Sequence, residues 1–283
     1  VIARPCLKWA GGKTKLLSEI LPRLPKKIGT YYEPFLGGGA VFFALVAEGH
    51  RATNGPDAIT RFERAVVGDT NEELMNVYAQ IRDAAGTLLV YLDHDIKQDE
   101  KTYYQIRAQD PRSLPPTMRA ARTIYLNKVG FNGIYRVNRK GAFNVPWGKQ
   151  EGRALFDEAN FLGCSLALQC ATLVSFDFEK TVASAKKGDA VYFDSPYVPA
   201  SETANFVAYT AGGFSENDQI RLRNVAKRLV DRGVHVLLSN SDTPLVRKLY
   251  TGFKVDRVEA PRRVNSKGDK RGNVGELLIS GRE

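Results

Sequence analysis

Residues 31–69 narrow the possible folds more than any other stretch. A short strand-like run, Tyr31–Phe35, leads directly into a glycine turn, "LGGG", and then into Ala40–Ala47, which holds no polar side chain. A second apolar run, "AVVGD" at 65–69, ends in an acid. Strand, glycine turn, buried helix, then strand with acid is the first half of a doubly wound α/β sheet, whose ligands sit at the carboxyl ends of its strands. Asn71–Arg82 carries apolar residues at helical spacing, and Lys13–Leu21 reads as a short amphipathic helix stopped by Pro22. Strand-like runs return at "TLVSF" (172–176), "AVYFD" (190–194), "VHVLLS" (234–239), 253–259 and 276–280, with helices near 215–232 and 243–250. Between about 84 and 163 such runs disappear; two polar helices, near 100–109 and 117–129, precede a loop-rich basic stretch. The expected organisation is one α/β domain built from residues 1–71 and 164–283, interrupted by a mainly helical insertion, 72–163. There is no internal repeat and no low-complexity tract.

The charge of +10 on 283 residues calls for a polyanionic partner, nucleic acid before an acidic membrane. A merely soluble basic enzyme is the plainer reading. The longest clean apolar run is far too short for a membrane span. Arg4, Pro5 and Lys8 interrupt any signal-peptide pattern. Cys6, Cys164 and Cys170 show neither metal spacing nor a disulfide framework, and His50, His94 and His235 are scattered. No metal is expected, and a reducing cytoplasm is the expected compartment.

Four motifs carry chemistry. "EPFLGGGAVF" (33–42) lets a ligand approach the backbone in front of a helix N-terminus, although the G-x-G-x-x-G dinucleotide spacing is absent and a plain tight turn would look the same. Asp69 suits a ribose hydroxyl pair, or equally the N-terminus of the following helix. "KWAGGKTKLL" (8–17) is not a P-loop, because Leu7 stands where the first glycine is needed. Its Trp9 fits a lid over a charged aromatic ligand, or simple packing of the helix start. From 128 to 153, Lys128, Arg136, Arg139, Lys140, Lys149 and Arg153 face only Glu151, with Phe131, Tyr135, Phe143 and Trp147 interleaved. That mixture suits phosphate neutralisation, with Asn132 and Arg136 able to reach base edges. A second basic segment, "RRVNSKGDKRGN" (262–273), can clamp a phosphate backbone or be a surface loop.

The fourth motif is "YFDSPYVP" (192–199). The amino nitrogen of a nucleobase is a poor nucleophile, because its lone pair is delocalised into the ring. Two acceptors aimed at its hydrogens draw it toward tetrahedral geometry and free the lone pair to attack a methyl group. The Asp194 side chain and the carbonyl of Ser195 can be those acceptors, and Tyr197 can stack on a base flipped from the duplex. Such catalysis is positioning and electrostatics, without a metal.

Together these stretches, with "GDTNEELMNVY", "LLSNSDT" and "GNVGELLIS", resemble the Dam-type, D12 class (alpha group) DNA adenine-N6 methyltransferases over most of the chain. The resemblance implies a Rossmann-like methyltransferase domain with an inserted target recognition domain. It implies S-adenosylmethionine as methyl donor, double-stranded DNA as substrate, and GATC as the leading target. Trp9, Lys13, Phe35, Gly37, Gly39, Asp69 and, more loosely, Phe178 match cofactor-binding positions, as does Asp194. Asp194, Ser195, Pro196 and Tyr197 match the catalytic tetrapeptide D-P-P-Y. Lys8, Asn132 and Arg136 match DNA contacts, with Arg139 and Lys140 beside them. A monomer is the expected state, prokaryotic or phage in origin and nucleoid-associated, with a cognate restriction endonuclease as a further expected partner. The departure is Ser195, where the pattern has proline. Serine removes the φ restraint but leaves the carbonyl in place, at an expected cost on the order of 1 kcal/mol. A DNA-binding relative without activity, a methyltransferase acting on RNA or a protein amide, and a nicotinamide dehydrogenase are the rival readings; the last leaves "DSPY" and the basic insertion unexplained.

Overall fold

The computed structural model describes residues 2–53, 61–92, 96–149, 151–152, 154–198, 213–261 and 273–281. The strands are β1 (Ile28–Glu33), β2 (Phe62–Gly68), β3 (Ala171–Val174), β4 (Ala190–Phe193), β5 (His235–Ser241), β6 (Lys254–Pro261) and β7 (Asn273–Ser280). The helices are α1 (Leu17–Ile20), α2 (Ala40–Thr53), α3 (Glu72–Asp83), α4 (Ala85–Tyr91), α5 (Glu100–Ala108), α6 (Pro116–Val129), α7 (Glu158–Leu168), α8 (Phe178–Thr181), α9 (Glu216–Asp231) and α10 (Pro244–Leu249). Among the described residues the seven strands form one sheet in the order β3-β2-β1-β4-β5-β7-β6, with β7 antiparallel to both neighbours. The remaining pairings are parallel. This is the mixed seven-stranded sheet typical of methyltransferases that use S-adenosylmethionine. The chain turns from one side of the sheet to the other between β1 and β4, so the carboxyl ends of those strands open a crevice there.

The apolar patterns explain the layers. All of β4 is buried, as a central parallel strand covered on both faces must be. Along α9, Leu222, Val225, Ala226 and Leu229 recur at helical spacing and are buried. Each leucine or valine of this stripe taken out of water contributes about 1.5–3 kcal/mol. Ser215 and Asp218 close a reciprocal capping box that fixes where α9 begins. On the opposite face, residues 40–49 of α2 are buried almost all round, in one core shared with the sheet and with α3, α6 and α7.

Several expectations shift at their edges. Lys13–Leu21 is not one helix but a 3₁₀ turn, α1 and a second 3₁₀ turn, Leu21–Arg23, that accommodates Pro22. The sheet strands extend beyond their apolar runs, β2 beginning at Phe62 and β7 at Asn273. α6 was expected to be polar and is instead buried from Ala120 to Leu126 and beyond. Its polar side chains are consumed by backbone groups: Arg122 donates to the carbonyls of Ile106 and Arg107, and Asn127 to those of Lys8 and Gly133. A buried polar group so paired escapes most of its desolvation cost. The apolar core passes without interruption from the sheet (Tyr31, Val67) into α3, α6 and α7 (Tyr78, Tyr125, Phe161).

Candidate active site

The glycine turn is built around Asp69, which follows β2. Its Oδ2 accepts from Gly37 N at 3.1 Å and its Oδ1 from Asn71 N at 2.9 Å, while Tyr78 donates its hydroxyl to Gly37 O at 2.8 Å. Burial pushes the Asp69 carboxyl up, and the backbone N–H groups of Asn71, Gly37 and Thr70 oppose that. Gly37 lies at φ +47° and Gly39 at φ +69°, conformations that favour glycine. A Cβ at Gly37 would stand 3.0 Å from Trp9 Cδ1, so the turn and the indole are in direct contact. Trp9 also stacks against Tyr135, with ring centroids 5.1 Å apart. Beside the turn, Phe35 stacks on Phe178 at 5.4 Å and meets Phe214 edge-on at 5.9 Å. Phe178 is itself buried, so it backs Phe35 rather than facing solvent.

At the end of β4, Asp194 is held by two donors on one oxygen. Lys13 Nζ lies 2.8 Å from Oδ1, and Ser239 Oγ donates to the same atom at 2.9 Å. Lys13 also donates to Gly11 O at 2.7 Å and lies 4.7 Å from the centre of the Tyr197 ring. Tyr197 donates its hydroxyl to Glu276 Oε2 at 2.6 Å, which anchors the far end of the ring. Burial pushes the Tyr197 phenol well up, and the charges of Asp194 and Glu276 add to it. Ser195 is buried, and its Oγ has no hydrogen-bond partner among the described residues. Behind the site, Glu33 is buried and accepts from the Tyr31 hydroxyl at 2.8 Å.

Residues 8–13 thus reach both the glycine turn and the tetrapeptide, and they reach the basic stretch as well. The backbone of exposed Lys8 is bolted to α6 by Asn127, which accepts from Lys8 N at 3.1 Å and donates to Lys8 O at 2.7 Å. Asn127 also donates to Gly133 O, so Lys8 and the turn carrying Asn132 share one anchor. Asn132 is exposed and sits at φ 56° in the left-handed region. Arg136 is exposed and is aimed by Asn144, whose Oδ1 accepts from Nε at 2.8 Å. Arg139 and Lys140 sit at an exposed turn that Asn138 caps by accepting from the backbone N–H groups of Lys140 and Ala142. The expected DNA contacts and the expected catalytic residues are therefore linked through one N-terminal segment. Arg153 and residues 262–272 of the second basic segment lie outside the described residues.

Sequence reasoning did not single out Glu33, Tyr78, Gln219, Ser239, Asn240 or Glu276. Ser239 and Asn240 lie in "LLSNSDT", where polar residues ending an apolar strand were the available signal. Among the described residues, no group of three or more His, Cys, Asp or Glu is placed to hold a metal ion, and no helix is long and apolar enough to cross a membrane.

The model of the D12 class N6 adenine-specific DNA methyltransferase family matches residues 9–264. The type II methyltransferase M1.LlaDCHI of Lactococcus lactis subsp. cremoris is 40% identical over 284 residues, covering 98% of this chain and 95% of that protein. The type II methyltransferase M.MjaIII of Methanocaldococcus jannaschii is 37% identical, covering 98% of each. The DNA adenine methylase of Escherichia coli K12 is 36% identical, covering 97% of this chain and 94% of that protein.

Proposed function

Since the chain belongs to the D12 class N6 adenine-specific DNA methyltransferases, we propose that Asp194, Ser195, Pro196 and Tyr197 form the centre at which it methylates an adenine flipped out of GATC. The enzyme is an S-adenosylmethionine-dependent, adenine-specific DNA methyltransferase. The observation that carries the assignment of the centre is the Asp194 carboxylate, gripped on Oδ1 by Lys13 and Ser239 beside a Tyr197 ring anchored to Glu276. A carboxylate fixed in this way presents its other oxygen as an acceptor for one hydrogen of the adenine amino group, and the Ser195 carbonyl takes the second. Tyr197 offers the base an aromatic face. Pre-aimed acceptors of this kind need no reorganisation as charge develops on the nitrogen.

The residues present fit the cofactor. Gly37 and Gly39 keep the turn free of side chains, Asp69 stands at the end of β2 where a ribose diol is bound in doubly wound sheets, and Phe35, backed by Phe178, gives an apolar face. When bound, S-adenosylmethionine supplies an electrophilic methyl group on sulfur. Trp9 closes the turn from one side, and Lys13 sets the acceptor geometry of Asp194.

The recognition part is residues 72–163, a division supported by the exposed Arg136, Arg139, Lys140 and Asn132 in that stretch. Asn144 leaves Arg136 at the surface for a guanine edge. The two type II relatives favour a restriction–modification setting, in which an endonuclease cuts the same site. The test is methyl transfer to duplexes containing GATC or a scrambled site, together with mapping of modified adenines in DNA from cells expressing the chain. Methyl-N6-adenine at GATC alone supports the proposal. Modification at another motif overturns the target, and none on any duplex overturns the assignment of the centre.

A further inference from the structure

Beyond Phe193 the chain leaves the sheet, and residues 194–198 form no regular secondary structure. Their peptide planes must be fixed by something other than a ladder of strand pairing. A proline at 195 would restrain φ there; serine does not. Two buried amides from other elements hold this stretch instead. Gln219 of α9 is 2% exposed, and its Nε2 donates to Pro196 O at 2.8 Å. Its Oε1 accepts from Asn240 Nδ2 at 3.1 Å. Asn240 in β5 is 0% exposed, and its Oδ1 accepts from Val198 N at 3.1 Å. Ser241 completes the grip by donating Oγ to Val198 O at 2.6 Å. The register of β5 does not depend on these side chains, because β4 and β7 flank it on both sides and Asn240 stands opposite Leu277. Both buried amides are therefore directed at one loop, and each is satisfied at both ends, which defines a single arrangement.

We propose that Gln219 and Asn240 are positioning residues for methyl transfer. They form a relay of two side-chain amides that fixes the two peptides following Pro196, through Pro196 O and Val198 N, and so holds the Ser195 carbonyl just before them toward the target amino group. The relay restrains this stretch from its C-terminal side, where a proline ring at 195 would restrain it from the N-terminal side. This rests on the reading of Asp194–Tyr197 as the centre that receives the adenine. A relay of this kind acts on the rate of the bound complex, since its amide groups are directed at the protein's own Pro196 O and Val198 N and at each other.

The experiment uses the full chain, S-adenosylmethionine and an adenine duplex that the wild-type enzyme methylates. Gln219→Ala lowers kcat on the order of tenfold or more, as a misaimed reacting group does, with KM for DNA and for cofactor little changed. Adding Ser195→Pro to Gln219→Ala recovers most of that rate, whereas adding Ser195→Ala recovers none. Gln219→Ala, Asn240→Ala and the pair together lose similar factors, because breaking a relay twice is no worse than breaking it once; this cycle decides if Ser195→Pro fails to fold. An unchanged kcat in Gln219→Ala, an equal deficit in the proline and serine backgrounds, or additive losses in the cycle would overturn the relay. A wild-type chain that transfers no methyl to adenine overturns the reading on which the relay rests, and is distinguished by failing before any variant is compared.

Discussion

Lys13 Nζ lies 2.8 Å from Asp194 Oδ1, in a pair whose side chains are only 6% and 19% exposed. Removing one partner of such a pair leaves the other buried and unpaired, at about 3–5 kcal/mol. Asp194→Ala therefore confounds catalysis with stability. Asp194→Asn keeps the volume and one acceptor but removes the charge. It is expected to lower single-turnover transfer at least a hundredfold, on the order of what one preorganised hydrogen-bonding group contributes, while cofactor affinity measured by calorimetry stays near the wild-type value. Turnover within tenfold of wild type would rule out the two-acceptor arrangement.

Ser195 gives a prediction of the opposite sign. Its hydroxyl is buried without a partner among the described residues, and an unsatisfied buried hydroxyl costs about 1–3 kcal/mol. Ser195→Ala removes that cost and leaves the backbone carbonyl in place. The variant should melt at least as high as wild type, by about 2 °C or more for a chain of this size, and transfer at a similar rate. A large loss of rate with an intact fold would show that the hydroxyl itself touches a reacting group.

These two residues also show which parts of the molecule were legible in the sequence. Asp194 and Asp69 were readable because each ends a short apolar strand, and strand patterning is local. The glycine turn was readable because left-handed backbone selects glycine at 37 and 39. What holds Asp194 and Tyr197 was not readable: Ser239 and Glu276 come from strands 45 and 79 residues further along the chain, and a single polar residue does not announce its partner. α6 misled for the same reason, since Arg122 and Asn127 look solvent-facing until the carbonyls that bind them are in place. α7 escaped notice because "EANFLGCSLAL" has apolar residues on every side and so no clear helical stripe.

Glu33 predicts a pH dependence of stability. Burial pushes its carboxyl up from an ordinary 4.5 to about 8, the Tyr31 hydroxyl opposing and the Asp194 charge adding. The unfolded chain gives up this proton near 4.5 and the folded chain near 8, so the native state binds more protons between them. The stabilising contribution is fully present below the lower value and is lost as pH rises to the upper one, by on the order of a few kcal/mol. Glu33→Gln is neutral throughout and keeps an acceptor for Tyr31. Its melting temperature relative to wild type should climb by several degrees between pH 5 and pH 8.5. A difference that stays flat over that range would mean the Glu33 carboxyl ionises normally.

Arg136 and Lys140 separate reading from holding. Arg136 is aimed by Asn144 Oδ1 at 2.8 Å, whereas Lys140 sits at a turn whose fixed element is its backbone N–H, bonded to Asn138. A guanidinium presented in a set direction suits a bidentate contact to guanine, and an ammonium on a flexible stem suits a phosphate. Arg136→Ala is expected to cost about 1–3 kcal/mol on the cognate duplex and to relax discrimination at one base pair. Asn144→Ala should produce a milder form of the same pattern, because the guanidinium remains but is no longer aimed. Lys140→Ala should weaken binding evenly on every sequence and lower the salt slope by about 1. The measurement is affinity and transfer rate across single-base variants of the site at several salt concentrations. An even loss for Arg136→Ala would make that side chain another phosphate contact and place the base reading elsewhere in the basic stretch.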